Sequence, residues 1–261
     1  MGTNLARPDG AKLADFQDDL NSFTGNNIIQ IGPLAKAYVA RDIQELLPYS
    51  RRIRQAARPH LRSFNEAPDA GVWMESAVAA TARVLTPEGA VPAGQLGLGD
   101  MVETKDHGAQ PIRWIGQTRL TRAQLSERPA LCPVRIKAGL VDGTYPRTDM
   151  EISPSAGIVM RSNRNRTDER LVQAAALTRR DGFCKSIPRH GITYVQLLLE
   201  HHAVLMVEGL EMESFHPGNL RPNKADAAMW SEVMGAMPDL EHDLVGYGPR
   251  VRPDLSDRAR P

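Results

Sequence analysis

A chain of 261 residues can bury a core of its own and suits one domain, or one domain with extensions. Its 32 Lys and Arg stand against 31 Asp and Glu, so no global field draws it to nucleic acid or to an anionic membrane, and neither is expected as a partner. Aromatic residues are only 5% of the chain, which leaves Leu, Val, Ile, Met and Ala to build the core.

The N-terminus, MGTNLARPDGAKLADF, lacks the apolar stretch of a secretion signal. The longest largely apolar run, Tyr194–Leu199, is far too short to span a bilayer, and a cytoplasmic location is expected. Residues 1–31 are polar, with a short helical patch around Ala14–Phe23. From Pro33 onward, Leu34, Tyr38, Val39, Ile43, Leu46 and Leu47 recur at three- and four-residue spacing and predict one apolar helix face. Pro33 suits the first turn of that helix, and Pro48 stops or kinks it.

Arg51, Arg52, Arg54, Arg58 and Arg62 follow within one short segment. Arg51–Arg62 is the candidate patch for docking an unidentified protein partner. No aromatic residues interleave with the arginines, so a solvated helix face is the plainer expectation. Residues 63–72 look like a linker.

After Trp73 the pattern becomes that of short strands between Gly, Pro and Asp turns: Arg83–Leu85, Met101–Thr104, Ile112–Ile115, Val134–Lys137, Met150–Ser153 and Ile158–Met160. Pro87–Ala90 and Lys105–Gly108 read as turns, and Thr121–Ser126 as one helical turn. Ile192–Leu199 and Ala203–Val207 form a later β pair, and Met212–Phe215 continue it before Pro217 and Gly218 end the region. Ala225–Met237 returns to helix with Asn223 as a candidate cap. The tail YGPRVRPDLSDRARP reads as extended. Cys132 and Cys184 belong to no CxxC pair and are expected as two buried thiols rather than a disulfide. The organisation is therefore a polar, helical extension and linker over 1–72, a β-rich body over 73–219, and a helical, Pro-rich tail over 220–261.

Three blocks of that body, in order, resemble the bacterial Hint (Hedgehog/intein) autoprocessing domain. Thr86–Gly116, with its Leu-x-x-Gly-Asp step and its Pro-Ile-Arg-Trp-Ile-Gly strand, is similar to the family's opening. Pro133–Met160 resembles the second block, where the family usually reads Ser-Pro-x-His, and Ile192–Gly218 resembles the closing hairpin and its Glu-Ser-Phe-x-Pro-Gly end. The tail segment GYGPRVRP is also familiar from such proteins. The resemblance implies an all-β horseshoe of short strands in two pseudo-symmetric halves, here with a helical N-terminal extension and a short C-terminal helix. It also implies self-cleavage: a Cys or Ser at the first residue attacks the preceding carbonyl, and the second-block His protonates the leaving nitrogen.

The residues that should carry this chemistry are absent. The nucleophile position falls on Ala77 and the His position on Ala156, so no catalytic residue is assigned and an inactive structural or interaction module is expected. The alternative is residual self-cleavage by an N-to-O acyl shift. Its candidates are Ser76, beside the vacated position, and Thr81, which reads more simply as a turn hydroxyl. His202 matches a family His for which a structural hydrogen bond is the plainer role. His201 and His202 are adjacent and should face opposite sides of a strand, so they make a poor metal pair. His190 reads as a surface turn residue, and a Cys184–His190 pair lacks an orienting carboxylate. Asn219 is followed by Leu220 and preceded by Gly218, which does not suit splicing. No cofactor and no metal are expected.

Overall fold

The computed structural model describes residues 61–63, 74–140, 143–161, 169–220, 227–241 and 244–254, all within the compact unit Arg54–Pro261. The helix expected after Pro33, Arg51, Arg52, Arg54 and Arg58, residues 64–72 of the linker, and the cap at Asn223 lie outside the described residues.

The body is built from short strands. In chain order they are β1 (Leu61–Ser63), β2 (Val78–Ala79), β3 (Arg83–Thr86), β4 (Gly89–Pro92), β5 (Met101–Thr104), β6 (Gly108–Leu120) and β7 (Val134–Ile136). There follow β8 (Met150–Ile152), β9 (Gly157–Arg161), β10 (Glu169–Gln173), β11 (Phe183–Lys185), β12 (Ile192–Leu199), β13 (Val204–Val207) and β14 (Leu210–Glu213). Hydrogen-bonded neighbours run β10-β9-β14-β13-β5-β6-β12-β2-β8-β7-β11, with β3 paired to β13 and β4. The all-β expectation holds. Among the described residues, no helix is long and apolar enough to cross a membrane.

The turns follow from local chemistry. The Lys105–Gly108 turn between β5 and β6 needs a left-handed residue, which Gly108 supplies at φ 64°, and Thr104 Oγ1 closes it by donating to Gly108 O at 2.7 Å. A short helix, α1 (Arg122–Glu127), starts at a capping box in which Thr121 and Gln124 satisfy each other's backbone.

Strand β6 is longer than the run Ile112–Ile115 expected from sequence. Gly116 does not end the strand: its missing side chain makes room for the indole of Trp114, whose Cη2 would lie 2.4 Å from an added Cβ. Residues 108–111 of β6 pair with β5, and residues 112–120 pair antiparallel with β12. One strand thus belongs to both halves of the body.

The region 61–63 also differs from expectation. Leu61–Ser63 is a strand running parallel to Gln117–Arg119 of β6, so Arg62 lies on a sheet edge and not on a helix face. Open backbone donors and acceptors on the outer side of β6 recruit the segment, and arginine periodicity carries no sign of that. Strands β10 and β11 were not read from sequence either, because ERLVQ and FCK are short and carry charged residues.

Two large apolar clusters fill most of the body. One joins Val84, Val102, Ile112, Ile152, Ile158, Val195 and Leu205 between the sheet faces. The other gathers Trp114, Tyr194, Leu198 and Phe215 under Met229, Val233 and Met234 of the C-terminal helix α3 (Ala227–Ala236). Burying side chains of this size stabilises the fold by about 1.5–3 kcal/mol each. A third short helix, α2 (Ala174–Leu177), packs Ala174 and Leu177 inward. Both cysteines are free; Cys132 is buried and donates to Leu125 O at 3.3 Å, but Cys184 is exposed, because β11 is the last strand of the sheet.

Candidate functional site

The segments carrying Ala77 and Ala156 meet. Ala77 ends a tight turn in which its N–H donates to Met74 O at 3.3 Å, and Ala77 O accepts from Ser153 N at 2.9 Å. Ser153 Oγ and Ser155 Oγ both donate to Met74 O, at 2.6 and 2.9 Å. Ala156 closes its own turn by donating to Ser153 O, then accepts from Ala174 N at 2.9 Å. Neither alanine has any exposed surface. The serines of the Ser153–Ala156 block therefore hold the chain just ahead of Ala77, and the block presents only a methyl where a ring was expected.

Ser76 occupies the intervening residue with φ 54°, a left-handed conformation that costs a non-glycine residue roughly 1 kcal/mol. Its Oγ is buried and makes no hydrogen bond. The hydroxyl is still near enough to Glu213 to favour the ionised carboxylate. The carbonyl of Glu75, one residue earlier, accepts from the buried amide of Gln196 at 2.9 Å.

Glu213 lies at the end of β14 and fills the space left by Gly157, where a Cβ would come within 2.4 Å of its Oε1. Burial raises its pKa to about 7, against the pull of Arg250, which stands 3.4 Å away and also pairs with Glu75. The two histidines beside it are locked neutral. Val251 N–H donates to His202 Nδ1 at 2.8 Å, which leaves the proton on Nε2 to be donated to Ser214 O at 3.0 Å. Burial first, then the neighbouring His216 and Arg250, bring the His202 pKa down to about 3. His216 repeats the pattern, accepting from Gly218 N at Nδ1 and donating from Nε2 to Gly248 O, and burial lowers its pKa too.

The other sequence candidates lie elsewhere. Thr81 is exposed between β2 and β3, on a shallow depression shared with Arg135, Asp149 and Glu208. His201 is exposed and lies near His107, with ring centroids 5.8 Å apart and the rings tilted by 48°, while His202 points inward. His190 and Cys184 are both on the surface. Leu220 is fully buried. Among the described residues, no group of three or more His, Cys, Asp or Glu side chains is arranged to hold a metal ion.

A family model described as Hint domain matches residues 77–219, more than half of the chain. The chain belongs to the Hint domain family. No curated protein matches it. Solved structures similar to this Hint domain include a bacterial intein-like domain from Clostridium thermocellum, at 11% identity and TM-score 0.38, covering 54% of this chain and 99% of that one. The MchDnaB-1 intein is 12% identical with TM-score 0.34, covering 52% and 98%. The Msm DnaB1 intein splicing domain bound with zinc is 13% identical with TM-score 0.32, covering 52% and 98%.

Several residues of the cluster escaped sequence reasoning. Glu213 and His216 sit inside the Glu-Ser-Phe-x-Pro-Gly block that marks the Hint resemblance, where they read as signature rather than as buried charge. Gln196 hides within an apolar strand. Arg250 lies beyond the Hint match, in the tail read as extended. The tail supplies a side chain to the junction, and only its resemblance to tails of related proteins hinted at that.

Proposed function

We propose that this Hint domain has left autoprocessing and serves as a structural or interaction module. One observation carries the reading: Ala77 and Ala156 come from two hydrogen-bonded segments at one buried junction, and each offers only a methyl group. Without a nucleophile at 77 there is no covalent route, and removing a positioned proton donor loses a further 10²–10⁴-fold, roughly. The purified chain is expected to remain one band of 28.7 kDa through long incubation with thiol or hydroxylamine. A fragment pair from cleavage near residue 76 rejects the reading.

The Ser76 geometry supports a second reading, a shifted N-to-O acyl transfer at Glu75–Ser76. Ser76 Oγ would add to the Glu75 carbonyl carbon and pass its proton to Glu213. The Glu75–Ser76 C–N bond would then break as the nitrogen takes that proton, leaving an ester that water or hydroxylamine opens. Gln196 already donates to the carbonyl oxygen that would carry the negative charge. The first reading is preferred because Ser76 Oγ makes no hydrogen bond to a base, the contact an activated nucleophile requires. Cleavage between residues 75 and 76 that disappears in Ser76→Ala supports the shifted reaction, and cleavage indifferent to that change rejects it.

A further inference from the structure

The segment Gly248–Asp254 lies on the body as a peptide ligand lies on a receptor. Arg252 donates through Nε to Glu169 Oε2 at 2.7 Å and through its terminal nitrogens to both oxygens of Asp106, at 2.7 and 3.2 Å. Arg250 reaches Glu75 and Glu213. Between the two arginines, Val251 packs on Val159, Leu171 and Val204, which come from β9, β10 and β13. Pro253 O accepts from Leu171 N at 3.0 Å, and Asp254 bridges in parallel to Leu171, so the segment extends the sheet beyond its last strand, β10.

Its attachment depends on side-chain clasps and one short bridge: Arg250 and Arg252 are ion-paired, Val251 packs between them, and Val251 N–H and Pro253 O are hydrogen-bonded. This is the pattern by which strands are added to a sheet edge from a partner. The receptor is part of the Hint match, apart from Glu75, whereas the occupant lies wholly outside it. Four carboxylates, Glu169, Asp106, Glu213 and Glu75, face the two arginines, and Lys105 and Arg161 share Glu169 with Arg252.

From this geometry we infer that the groove lined by β9, β10, β13 and the β5–β6 turn is a binding site for extended peptides of the pattern Arg-apolar-Arg-Pro, supplied by a partner protein, and that residues 250–253 occupy it as a tethered internal ligand. The inference rests on the reading of this domain as an interaction module and names the chemistry of its partner. A tether presents its own segment at an effective concentration in the millimolar range, so a free peptide competes well only when the internal clasps are weakened. Opposite charges on groove and peptide set the specificity and make binding fall with salt.

The test uses the full chain and a labelled peptide Gly-Pro-Arg-Val-Arg-Pro-Asp, followed by fluorescence anisotropy. Arg250→Ala/Arg252→Ala is expected to bind it at least about tenfold more tightly than the unmodified chain, because the competing tether is weakened. A peptide with both arginines replaced by Glu should not bind, and Glu169→Gln/Asp106→Asn in the weakened chain should remove binding. Equal binding to both chains, or none up to about 1 mM, the tether's own effective concentration, overturns the inference. So does a concentration-dependent dimer of the unmodified chain, which would make the groove an exchange site between copies.

Should the double variant lose its near-UV circular dichroism, Arg252→Ala alone replaces it, with the Arg250 clasp intact. Hydrogen exchange needs no substitution: Leu171 N–H should exchange faster than the amides of β12, and equal rates would show that the segment does not leave. None of these readouts involves chain cleavage, so failure here and failure of the silent-module reading are separable.

Discussion

Arg250 donates to Glu75 across 175 residues of chain, fastening the tail to the residue two positions before the Hint match begins. The same guanidinium stands 3.4 Å from Glu213, so a single cation serves two carboxylates at a buried junction. Arg250→Ala removes that cation and leaves both carboxylates in a region of low polarity. Breaking a buried pair typically costs about 3–5 kcal/mol, and partial exposure of Arg250 reduces the expectation here to about 1–3 kcal/mol. A lower urea midpoint checks this, with Arg250→Lys recovering part of the loss. An unchanged midpoint would mean that the clasp contributes nothing to stability.

The cluster also sets a pH response whose two halves oppose. Burial raises the Glu213 pKa from 4.5 to about 7, so across that window the folded chain holds a proton that the unfolded chain lacks, and stability falls as pH rises. The His202 pKa drops from 6.5 to about 3, so there the unfolded chain holds the extra proton, and stability falls as pH decreases. Between 4.5 and 6.5 the contributions have opposite slopes, each about 1.4 kcal/mol per pH unit at most. Glu213→Gln leaves the histidine slope unopposed, and the urea midpoint should then climb from pH 4.5 to 6.5 more steeply than in the unmodified chain. Parallel profiles would show that Glu213 is ionised in the folded protein throughout.

Restoring the missing groups tests the vacancy directly. Ala77→Cys with Ala156→His is expected to yield thiol-induced cleavage between residues 76 and 77, detected by fragment mass. Ala77→Cys alone should be slower by roughly 10²–10⁴-fold, since nothing then protonates the departing nitrogen. A well-folded double variant that stays intact under thiol would mean that more than these two side chains has been lost.

Ser76→Gly relieves the left-handed backbone and removes a buried hydroxyl with no hydrogen bond. A gain of about 1 kcal/mol is expected, from glycine's free access to positive φ and from the desolvated oxygen that disappears. Denaturation midpoints measure it. A loss of stability would show that the hydroxyl's proximity to Glu213 stabilises the carboxylate enough to outweigh the strain.

Much of the body was legible because its signals are local. Lys105–Gly108 announces a turn, Thr121–Ser126 a helical turn, and the apolar run Ile192–Leu199 a strand. The junction was legible in part: Ala77 and Ala156 were located by the family resemblance, and the structure hydrogen-bonds their segments together. What escaped depends on residues distant in sequence. Nothing local distinguishes Glu213 from any other Glu at a strand end; its character comes from Gly157 vacating a space and Arg250 arriving from the tail. β1 and β10 escaped for a related reason, since each is recruited by backbone groups that another segment leaves open.

Strand β6 bonds to β5 along its first residues and to β12 along the rest, so the two halves share one unbroken piece of backbone. Neither half can melt without unzipping part of the other's ladder. Heat or denaturant should therefore meet a single cooperative transition across Met74–Leu220, and not two domains failing in turn. With β2 waiting for β12 and Glu75 for Arg250, closure requires partners far apart along the chain, which makes this a slow-folding topology.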